Sequence, residues 1–478
     1  MCGIVMLSGP RATARLPQCL NRLQHRGPDD QGMWVAGEVA LGFVRLAING
    51  DRTVGHQPHL HGDLVGAING EIYNHQALCD AHSLEQSECD TQFVLPLFER
   101  NGPRIIDDLD GFYSAVILRH SVREAICLRD HMGKKPLFVG RSSSELFITS
   151  ELKILDGFDW FKLLPRGVTR VDLETGQFCQ VATHRPVAPE RNLERLFENA
   201  VRKRIPSSGQ PVGVFLSGGL DSSLVAAFVS RIREDATYIT LGDADGPDRV
   251  AVKSVVEALG LRDVRTVPLP RPAQIPELVR SVVHTTESIN PSVVSNGLAT
   301  YLLANAAHDA GIKVVLTGEG ADELFGGYHS FREKDPWQEV RTRLINDMQL
   351  TELRRLDMCC MAHSIEPRCP FLDRAICAFS DGLSYAEMYE DEENKVALRG
   401  GFDGVLPPEI LHRPKTSLDV GSGIRGEVVR YLRRNGRSER DELREVWEQF
   451  FTHDSSEPYF HAYPVFDAAI NRRGETHR

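Results

Sequence analysis

The hydrophobic pattern of this 478-residue chain changes once, near residue 183, and this change constrains the possible folds more than any other feature. Before it, short alternating apolar segments are separated by Gly, Pro and Asp, which is typical of β-strands and turns. After it, continuous apolar runs alternate with segments of helical spacing, which is typical of βα units. We therefore expect two domains, residues 1–182 and 193–478, joined by a polar, proline-containing linker at 183–192.

The two halves predict different sheets. The first half has candidate strands at 41–46, 64–68, 113–118, 125–128 and 146–148, which indicate a mostly β domain. The second half has candidate strands at 212–216, 237–241 and 313–317, and candidate helices at 193–203, 222–233, 250–259 and 295–310. This order predicts a doubly wound α/β domain with a parallel sheet, followed from about Gly423 by a charged helical tail.

The composition excludes several classes of function. A formal net charge of −11 argues against a general nucleic-acid binder, which would carry a basic face. The chain has no apolar run of about 18 residues to span a bilayer, and its first residues do not resemble a signal peptide, so we expect a soluble, cytoplasmic protein without a membrane partner. The ten cysteines include no Cys-x-x-Cys pair, so we expect mostly reduced core residues.

Cys2 is the first candidate nucleophile. If Met1 is removed, Cys2 gains a free α-amine with a pKa near about 8, which suits a general base for its own thiol. A chain that keeps Met1 would be inactive in this step. On its own, Cys2-Gly-Ile-Val also fits a buried cysteine in a first strand.

Further motifs follow Cys2 in a defined order. They are Arg26-Gly-Pro-Asp-Asp, Arg45-Leu-Ala-Ile, Ala67-Ile-Asn-Gly-Glu-Ile-Tyr-Asn-His, Cys89-Asp-Thr, Leu109-Asp-Gly-Phe-Tyr, Arg129-Asp-His-Met-Gly-Lys-Lys-Pro-Leu and Ser150-Glu-Leu-Lys. Together with Cys2 they resemble the glutaminase domain of class II glutamine amidotransferases, which implies an α+β N-terminal nucleophile fold, a β-sandwich flanked by helices.

This resemblance implies a role for each candidate residue. Cys2 would form a γ-glutamyl thioester, and Asn69 and the backbone N–H of Gly70 would stabilise the oxyanion. The glutamine-binding residues would be Arg45 on the α-carboxylate and Asp90 on the α-ammonium, with further contacts from Asn69 and Glu71. The chain departs from the family pattern at Gln92, where an acidic residue is usual.

A second candidate site begins at Val212-Gly-Val-Phe-Leu-Ser-Gly-Gly-Leu-Asp-Ser-Ser, a strand that leads into a glycine-rich turn and a helix. Such a turn presents backbone N–H groups to phosphate oxygens at a helix N-terminus, although it also fits a turn without a ligand. It lacks the Gly-Lys-Ser/Thr ending of a Walker loop. It resembles the pyrophosphate loop of enzymes that convert ATP into an adenylate, which implies that Ser217, Gly218, Gly219, Asp221 and Ser222 bind ATP.

Carboxylates are concentrated in Leu316-Thr-Gly-Glu-Gly-Ala-Asp-Glu-Leu-Phe-Gly-Gly-Tyr. They would repel one another unless a cation lies among them, and Mg²⁺ shared with phosphates is the natural candidate. We expect Asp221 and Asp322 to be the metal ligands. Glu319 would accept a proton from the attacking nitrogen, and Gly318, Lys395 and Lys415 would contact ATP, with Lys415 neutralising charge on the phosphates.

These blocks in this order resemble the glutamine-hydrolysing asparagine synthetase family over nearly the whole chain. The resemblance implies an ATP-pyrophosphatase fold for the second domain, with glutamine, ATP and a small carboxylic acid as substrates and AMP and pyrophosphate as products. It also implies an internal ammonia tunnel and, often, a homodimer. Aspartate is the lead acceptor. Asn290 stands where the family usually has aspartate and Ser295 where it has arginine, so another carboxylic acid is the alternative.

Other functions fit the residues less well. A β-lactam-synthetase-like enzyme, which joins an internal amine to an adenylate, needs no thiol, whereas this chain has Cys2. A non-catalytic sensor would have lost Cys2, Asp221 or Lys415. A sugar-phosphate isomerase partner domain would not need the Ser-Gly-Gly-Leu-Asp-Ser loop, and the acidic diphosphate motif of a phosphoribosyltransferase is not found.

Overall fold

The computed structural model of the protein describes residues 2–50, 54–119, 123–206, 209–328, 331 and 335–461. The chain forms two compact units: unit 1 consists of 1–185 with 451–453, and unit 2 of 186–450 with the residues from 454 onward. The domain boundaries expected from the sequence stay a prediction. Among the described residues, none of the helices combines the length and the apolar character needed to cross a membrane.

Unit 1 is built from antiparallel strands. In chain order they are β1 Gly3–Ser8, β2 Asp30–Ala36, β3 Val39–Arg45, β4 His59–His61, β5 Leu64–Ile72, β6 Gly111–Arg119, β7 Glu124–Arg129, β8 Phe138–Ser142, β9 Glu145–Thr149, β10 Trp160–Leu163, β11 Gly167–Asp172 and β12 Phe178–Ala182. One sheet has the order β10-β8-β9-β1-β3-β2 and the other β12-β11-β7-β6-β5-β4. The helices are α1 Ala12–Leu23, α2 His75–His82, α3 Val94–Asn101 and α4 Ile105–Asp108.

The two sheets of unit 1 pack face to face. Ile4 and Phe43 of the first sheet share a core with Ala67 and Val116 of the second. Alternate residues of the second sheet, such as Ile68, pack on the other side against the helices α2 to α4. Because β5 and β6 are covered on both faces, they read as nearly continuous buried runs. The predicted sandwich flanked by helices is confirmed.

Unit 2 contains a five-stranded parallel sheet. Its strands are β13 Val212–Phe215, β14 Thr237–Leu241, β15 Asp263–Val267, β16 Val314–Leu316 and β17 Glu366–Arg368, and a short hairpin adds β18 Tyr389–Glu390 and β19 Glu393–Asn394. The helices are α5 Leu193–Arg202, α6 Leu220–Ile232, α7 Pro247–Leu259, α8 Ile275–Thr286, α9 Pro291–Asp309, α10 Ala321–Phe325, α11 Trp337–Asp347, α12 Glu352–Met361, α13 Arg374–Asp381, α14 Tyr385–Met388, α15 Val396–Gly401, α16 Pro408–Leu411, α17 Leu418–Gly421, α18 Ile424–Leu432, α19 Glu439–Trp447 and α20 Pro458–His461.

The strand order β15-β14-β13-β16-β17 places the first strand of the unit in the centre of the sheet. After β13 the chain adds β14 and β15 on one side of it and then β16 and β17 on the other side. The connection that follows β13 and the connection that follows β16 therefore run toward opposite edges of the sheet. Ligands of such sheets bind beyond the carboxyl ends of the strands at this switch point. The predicted doubly wound fold is confirmed, and the two loops expected to bind ATP follow β13 and β16.

Two strands of this sheet were not predicted. β15 carries exposed polar residues, and β17 consists of Glu366-Pro-Arg, in which the Arg368 Nε donates to Glu366 Oε1 at 2.5 Å. Neither has the apolar pattern of a buried strand. All ten cysteines are free, and all except Cys179 and Cys377 are buried, which confirms the prediction of mostly reduced core residues.

Candidate active sites

Cys2 lies directly before β1 and is buried. Its backbone N–H donates to Asn69 Oδ1 at 3.1 Å, and its carbonyl accepts from Arg26 Nε at 2.8 Å. Arg26 is itself fully buried and donates through Nη1 to Glu151 Oε1 at 2.7 Å. The backbone of the candidate nucleophile is therefore held by buried polar groups on both sides.

Glu151 is the anion that holds this arrangement together. His25 and Lys153 also contact its carboxylate, at 2.9 Å and 2.6 Å. Burial would raise the pKa of Glu151, but the charges of Lys153, His25 and Arg26 outweigh burial and hold that pKa well below its usual value. The Arg26 and Ser150-Glu-Leu-Lys motifs are thus joined by an ion-pair network beside Cys2.

Only the oxygen of the Asn69 side-chain amide is hydrogen-bonded among the described residues. Its Oδ1 accepts from Cys2, whereas its buried Nδ2 has no hydrogen-bond partner within the described part of the protein. Leaving a buried donor unsatisfied costs about 1–3 kcal/mol, so such a donor indicates a site that a ligand completes. At the neighbouring Gly70 a Cβ atom would lie 2.1 Å from the Phe112 carbonyl oxygen, so only glycine fits here. This geometry suits a donor for an oxyanion.

The expected glutamine-binding residues are tied to the end of β5, the strand that carries Asn69. Arg45 donates to the Asn49 carbonyl at 2.8 Å, and Asn49 Nδ2 donates to Glu71. Asp90 accepts from the Ile72 N–H at 2.8 Å. The structure thus brings Arg45, Glu71 and Asp90 to the same strand end.

Two further residues support this arrangement and were missed from the sequence. Asn49 links Arg45 to Glu71, and Gly55 lies so close to Arg45 that a Cβ atom would be 2.1 Å from its Nη2. Neither residue belongs to a motif that stood out, although Asn49 lies only four residues after Arg45. Gln92, the departure from the family pattern, is exposed.

The glycine-rich turn after β13 is closed by its own hydroxyl groups. Ser222 Oγ accepts from the Ser217 N–H at 3.2 Å and lies 3.0 Å from Ser217 Oγ. Gly218 has φ +72°, and a Cβ there would lie 2.7 Å from the Val252 N atom, so glycine allows the turn to pack against α7. Gly218 packs away from the cavity described next, and the other expected loop residues line it.

A cavity of about 200 Å³ lies beyond β13 and β16 in unit 2. Among the residues expected to bind ATP or metal, those that line it are Ser217, Gly219, Asp221, Ser222, Gly318, Asp322, Lys395 and Lys415, and Glu319 joins them. Gly318 allows the two loops to meet, because a Cβ there would lie 2.8 Å from Asp221 Cβ. The structure therefore brings almost the whole expected set into one cavity.

Two lysines and two aspartates pair with one another in this cavity. Lys395 Nζ lies 2.6 Å from Asp221 Oδ1 and 2.7 Å from Asp322 Oδ1. Lys415 Nζ contacts Asp322 and lies 4.0 Å from Asp221 Oδ2. Lys395 has φ +57° at the start of α15, a left-handed conformation that is uncommon outside glycine and that occurs at functional sites.

The two carboxylates of this cluster titrate differently. Burial raises the pKa of Asp221 by more than Lys395 lowers it. At Asp322 burial also acts to raise the pKa, but Lys395 and Lys415 outweigh it and lower the pKa to about 2. The same pairing raises the pKa of Lys415, since Asp322 and Asp221 favour the ammonium form. The two lysines thus favour the ionised form of Asp322 more strongly than that of Asp221.

The other acidic residues of the second motif have separate partners. Glu319 pairs with Arg355 of α12 at 2.6 Å, and Arg355 also donates to Thr300 Oγ1 of α9 at 2.7 Å. Glu323 accepts from Tyr328 OH at 2.5 Å, and burial raises the pKa of Glu323 well above its usual value. Side chains of the protein thus balance the clustered charge, so the clustering alone does not require a metal ion.

Several charged residues of this cavity were not among those expected to bind ATP or metal. Glu352 lines it, and burial raises the pKa of Glu352 to about 7. Arg413, two residues before Lys415, donates to Asp248 Oδ1 at 2.8 Å and to the Ser217 carbonyl at 3.3 Å, which links this segment to the turn. Arg355 and Glu352 lie in a helix without a recognisable motif, and only their spacing of three residues indicated a shared helix face.

Asn290 and Ser295 have structural positions in α9. Asn290 Oδ1 caps the helix by accepting from the N–H groups of Ser292 and Val293 at 2.8 Å and 3.3 Å. Ser295 is fully buried and does not line the cavity. The α9 residues that do line it are Ser292, Val293, Asn296, Thr300 and Leu303, all uncharged.

The donor atoms of the second cavity fit the magnesium ion that ATP chemistry implies. Asp221 and Asp322 are carboxylates on one cavity, and Mg²⁺ is typically held by one or two carboxylates together with phosphate oxygens. No group of three or more His, Cys, Asp or Glu side chains suited to a metal occurs in the described ranges. The phosphates of a bound nucleotide would therefore have to supply further ligands.

Comparison with known proteins covers both units. The family model described as "Glutamine amidotransferase domain" matches residues 1–166, and the model described as "Asparagine synthase" matches 192–344 and 331–463. The chain is 30% identical to "Probable asparagine synthetase [glutamine-hydrolyzing]" of Acanthamoeba polyphaga mimivirus, over 83% of this chain and 80% of that protein. It is 30% identical to "Asparagine synthetase [glutamine-hydrolyzing] 3" of Arabidopsis thaliana, over 88% of this chain and 79% of that protein.

Proposed function

This chain belongs to the glutamine-hydrolysing asparagine synthetase family of glutamine-dependent ligases, and from that premise we propose that it transfers the amide nitrogen of glutamine to an ATP-activated carboxylic acid. Aspartate is the lead acceptor, with asparagine, AMP and pyrophosphate as products. The single observation that carries the proposal is the cavity beside the glycine-rich turn, in which Lys395 and Lys415 form ion pairs with Asp221 and Asp322. The cytoplasmic location and the homodimer stay predictions.

In the first half of the proposed reaction, the Cys2 thiol attacks the glutamine amide carbon and releases ammonia, which then reaches the second site. The α-amine exposed by removal of Met1 takes the thiol proton and passes it to the departing nitrogen, and water then hydrolyses the γ-glutamyl thioester to glutamate and the free Cys2 thiol. Asn69 Nδ2 and the Gly70 N–H donate to the oxyanion, which the unpartnered state of Asn69 Nδ2 in the described residues supports. Arg45 binds the α-carboxylate, and Asp90 with Glu71 binds the α-ammonium.

In the second half, the turn formed by Ser217, Gly218, Gly219 and Ser222 binds the ATP phosphates. Lys395 and Lys415 shift from the carboxylates to the phosphates, because phosphate oxygens carry more negative charge than the aspartates they replace. Asp221 and Asp322 would hold Mg²⁺, which would neutralise charge on the phosphates. The acceptor carboxylate attacks the α-phosphate and displaces pyrophosphate to form an acyl-adenylate. Ammonia then attacks the acyl carbon, the bond to the phosphate breaks to release AMP, and Glu319 accepts the proton that the nitrogen loses.

A second acceptor class is supported by the uncharged face of α9. Asn290 caps its own helix, Ser295 lies outside the cavity lining, and Arg355 is already paired with Glu319. An acid with fewer charges than aspartate would need fewer partners in such a pocket. A different carboxylic acid is therefore the alternative acceptor.

The test supplies amide-¹⁵N glutamine, ATP and Mg²⁺ with a panel of carboxylic acids and follows pyrophosphate and labelled product. We expect aspartate-dependent pyrophosphate release together with ¹⁵N-asparagine. Release with another acid alone would replace aspartate by that acid, and no release with any acid would overturn the proposed function.

A further inference from the structure

The C-terminal segment of unit 2 is tied to the loop that starts α9. Trp447 Nε1 donates to the Glu287 carbonyl at 3.3 Å, and Tyr459 OH donates to Glu287 Oε2 at 3.2 Å. The Phe460 carbonyl accepts from the Ile289 N–H at 2.9 Å and from Ser288 Oγ at 3.3 Å. We call Trp447, Tyr459 and Phe460 the tail clamp. It contacts three consecutive residues of this loop.

The loop that the clamp holds is buried and conformationally unusual. Glu287 is fully buried and has φ +56°, a left-handed conformation that is unfavourable for a non-glycine residue. Asn290, the cap of α9, is held in turn because its N–H donates to Ser288 Oγ at 3.1 Å. Such a conformation persists only where its surroundings enforce it, and the clamp supplies those contacts.

The clamp also holds α12. Arg354 Nε donates to the Thr286 carbonyl at 2.7 Å, Arg354 Nη1 donates to the Tyr459 carbonyl, and the guanidinium lies 3.7 Å over the Tyr459 ring. The next residue, Arg355, points the other way into the cavity, where it contacts Glu319 and Thr300. Two adjacent arginines thus connect α12 to the clamp on one side and to the cavity on the other.

The helices that the clamp holds form one wall of the synthetase cavity. Ser292, Val293, Asn296 and Thr300 of α9 line it, as do Glu352, Arg355 and Leu356 of α12. The ATP-binding turn and the lysine–aspartate cluster come from other elements, namely the loops after β13 and β16 and the residues at 395 and 415. The clamp therefore contacts helices that form a different part of the cavity wall from the expected phosphate site.

We propose that the tail clamp positions the acceptor side of the synthetase cavity, with Arg354 and Tyr459 as positioning residues for the acceptor carboxylic acid. The proposal rests on the proposed function, because it assigns the wall formed by α9 and α12 to the acceptor. Loosening the clamp lets the start of α9 and the Arg355 side of α12 move, so the acceptor loses alignment while the nucleotide does not. Small displacements of this kind weaken binding and rate strongly.

The test compares Tyr459→Phe and Arg354→Lys with matched controls in the full-length chain. Tyr385→Phe also removes a hydroxyl donor, which lies 3.0 Å from the Phe331 carbonyl. Arg204→Lys also alters a buried arginine, which donates to Asp373 at 2.7 Å, and neither control residue lines the cavity. Pyrophosphate release is measured against acceptor and against ATP, with ammonium as nitrogen source.

For Tyr459→Phe and Arg354→Lys, together called the clamp variants, we expect the KM for the acceptor to rise by about 3–10-fold. The KM for ATP and the glutaminase activity should stay unchanged. Hydrogen exchange is followed in parallel, and the segment 287–300 should exchange faster in both clamp variants and at the original rate in both controls. An unchanged acceptor KM in the clamp variants, or an equal rise in the controls, would overturn the proposal.

Failure of the proposed function has a different signature. If the unmodified protein releases no pyrophosphate with any acid, the function is wrong, and hydrogen exchange still decides whether the clamp holds the start of α9. Unchanged exchange of 287–300 in Tyr459→Phe and Arg354→Lys would then refute the clamp independently of any activity.

Discussion

In unit 1 the Asn69 amide nitrogen is buried without a hydrogen-bond partner among the described residues, whereas in unit 2 Lys395 and Lys415 already lie on Asp221 and Asp322. In the first site a neutral N–H donor is buried without an acceptor among the described residues, which destabilises the folded protein by about 1–3 kcal/mol. The second site balances full charges against each other, because an isolated buried charge would cost far more.

This difference matches the substrates we propose for the two sites. An amide carbonyl becomes negative only in the transition state, so a donor that is idle beforehand favours that state selectively. ATP brings its negative charges with it, so the cations that receive them need a temporary partner. A substitution in one site should therefore leave the activity of the other site intact.

The largest expected effect comes from removing the nucleophile. Cys2→Ala should lower glutamine-dependent synthesis by at least about 1,000-fold, because no other group can form the thioester. Synthesis from free ammonium should persist, since the second site is unchanged. Cys19→Ala is the control, because Cys19 is equally buried on α1 but far along the chain from the Asn69 strand. Loss of both activities in Cys2→Ala would contradict the separation of the two sites.

Asn69→Ala tests whether the Asn69 amide nitrogen donates to the oxyanion. Glutaminase kcat should fall by about 100–1,000-fold, the usual cost of removing one oxyanion donor. Ammonium-dependent pyrophosphate release should not change. Asn74→Ala, which removes an amide that donates to the Asp108 carbonyl at 2.8 Å in the same unit, should leave glutaminase kcat unchanged. A loss confined to KM would show that Asn69 only binds glutamine.

Asp322→Asn tests the ion pairs that Asp322 forms with Lys395 and Lys415. Pyrophosphate release should fall by about 100-fold, because Lys395 and Lys415 lose a shared partner and the proposed Mg²⁺ site loses a carboxylate. Glutaminase activity should be retained. Asp373→Asn is the control, since Asp373 is also buried and pairs with Lys203 and Arg204 at 2.5 Å and 2.7 Å outside the cavity lining. An equal loss in both variants would indicate a general loss of stability.

The smallest expected effect is an opposite pH dependence of stability in the two units. The pKa of Glu151 is held well below 4.5, so its contribution to the free energy of unfolding is complete above about pH 4.5 and is lost as pH falls. The pKa of Glu352 is raised to about 7, so the folded state keeps a proton that the unfolded state releases. Stability therefore declines as pH rises from about 4.5 to 7, by about 3 kcal/mol.

Thermal unfolding against pH checks this contrast. Glu352→Gln should weaken the decline between about pH 4.5 and 7, because a neutral amide has no proton to release, while Glu323, whose pKa is also raised by burial, still contributes. Glu151→Gln should instead lower the melting temperature at neutral pH, where its ion pairs are complete, and should weaken the decline at acidic pH. The same pH profile in both variants would show that the two carboxyl groups are not in opposite environments.

The fold could be predicted from the sequence where local pattern and burial agree. Thr237–Leu241 was predicted with its observed bounds because its threonine, tyrosine, isoleucine and leucine residues favour strands and because all five are buried in the interior of the sheet. The edge strands β15 and β17 were missed, since their exposed or mutually paired charged residues hide the apolar pattern. Propensity describes neighbours along the chain, and edge strands are stabilised mainly by the adjoining strand.

The sequence by itself determined the order of the motifs, the two kinds of sheet and the residues around each candidate site, because these depend on neighbouring residues and on turns that need glycine. Only the tertiary structure decided which charges meet. Lys395 reaches Asp221 across 174 positions and Lys415 reaches Asp322 across 93, while Arg354 meets the Tyr459 carbonyl across 105. Such pairs form because folding brings distant segments together and because burying an unpaired charge is unfavourable. The residues next to each charge along the chain do not indicate its partner.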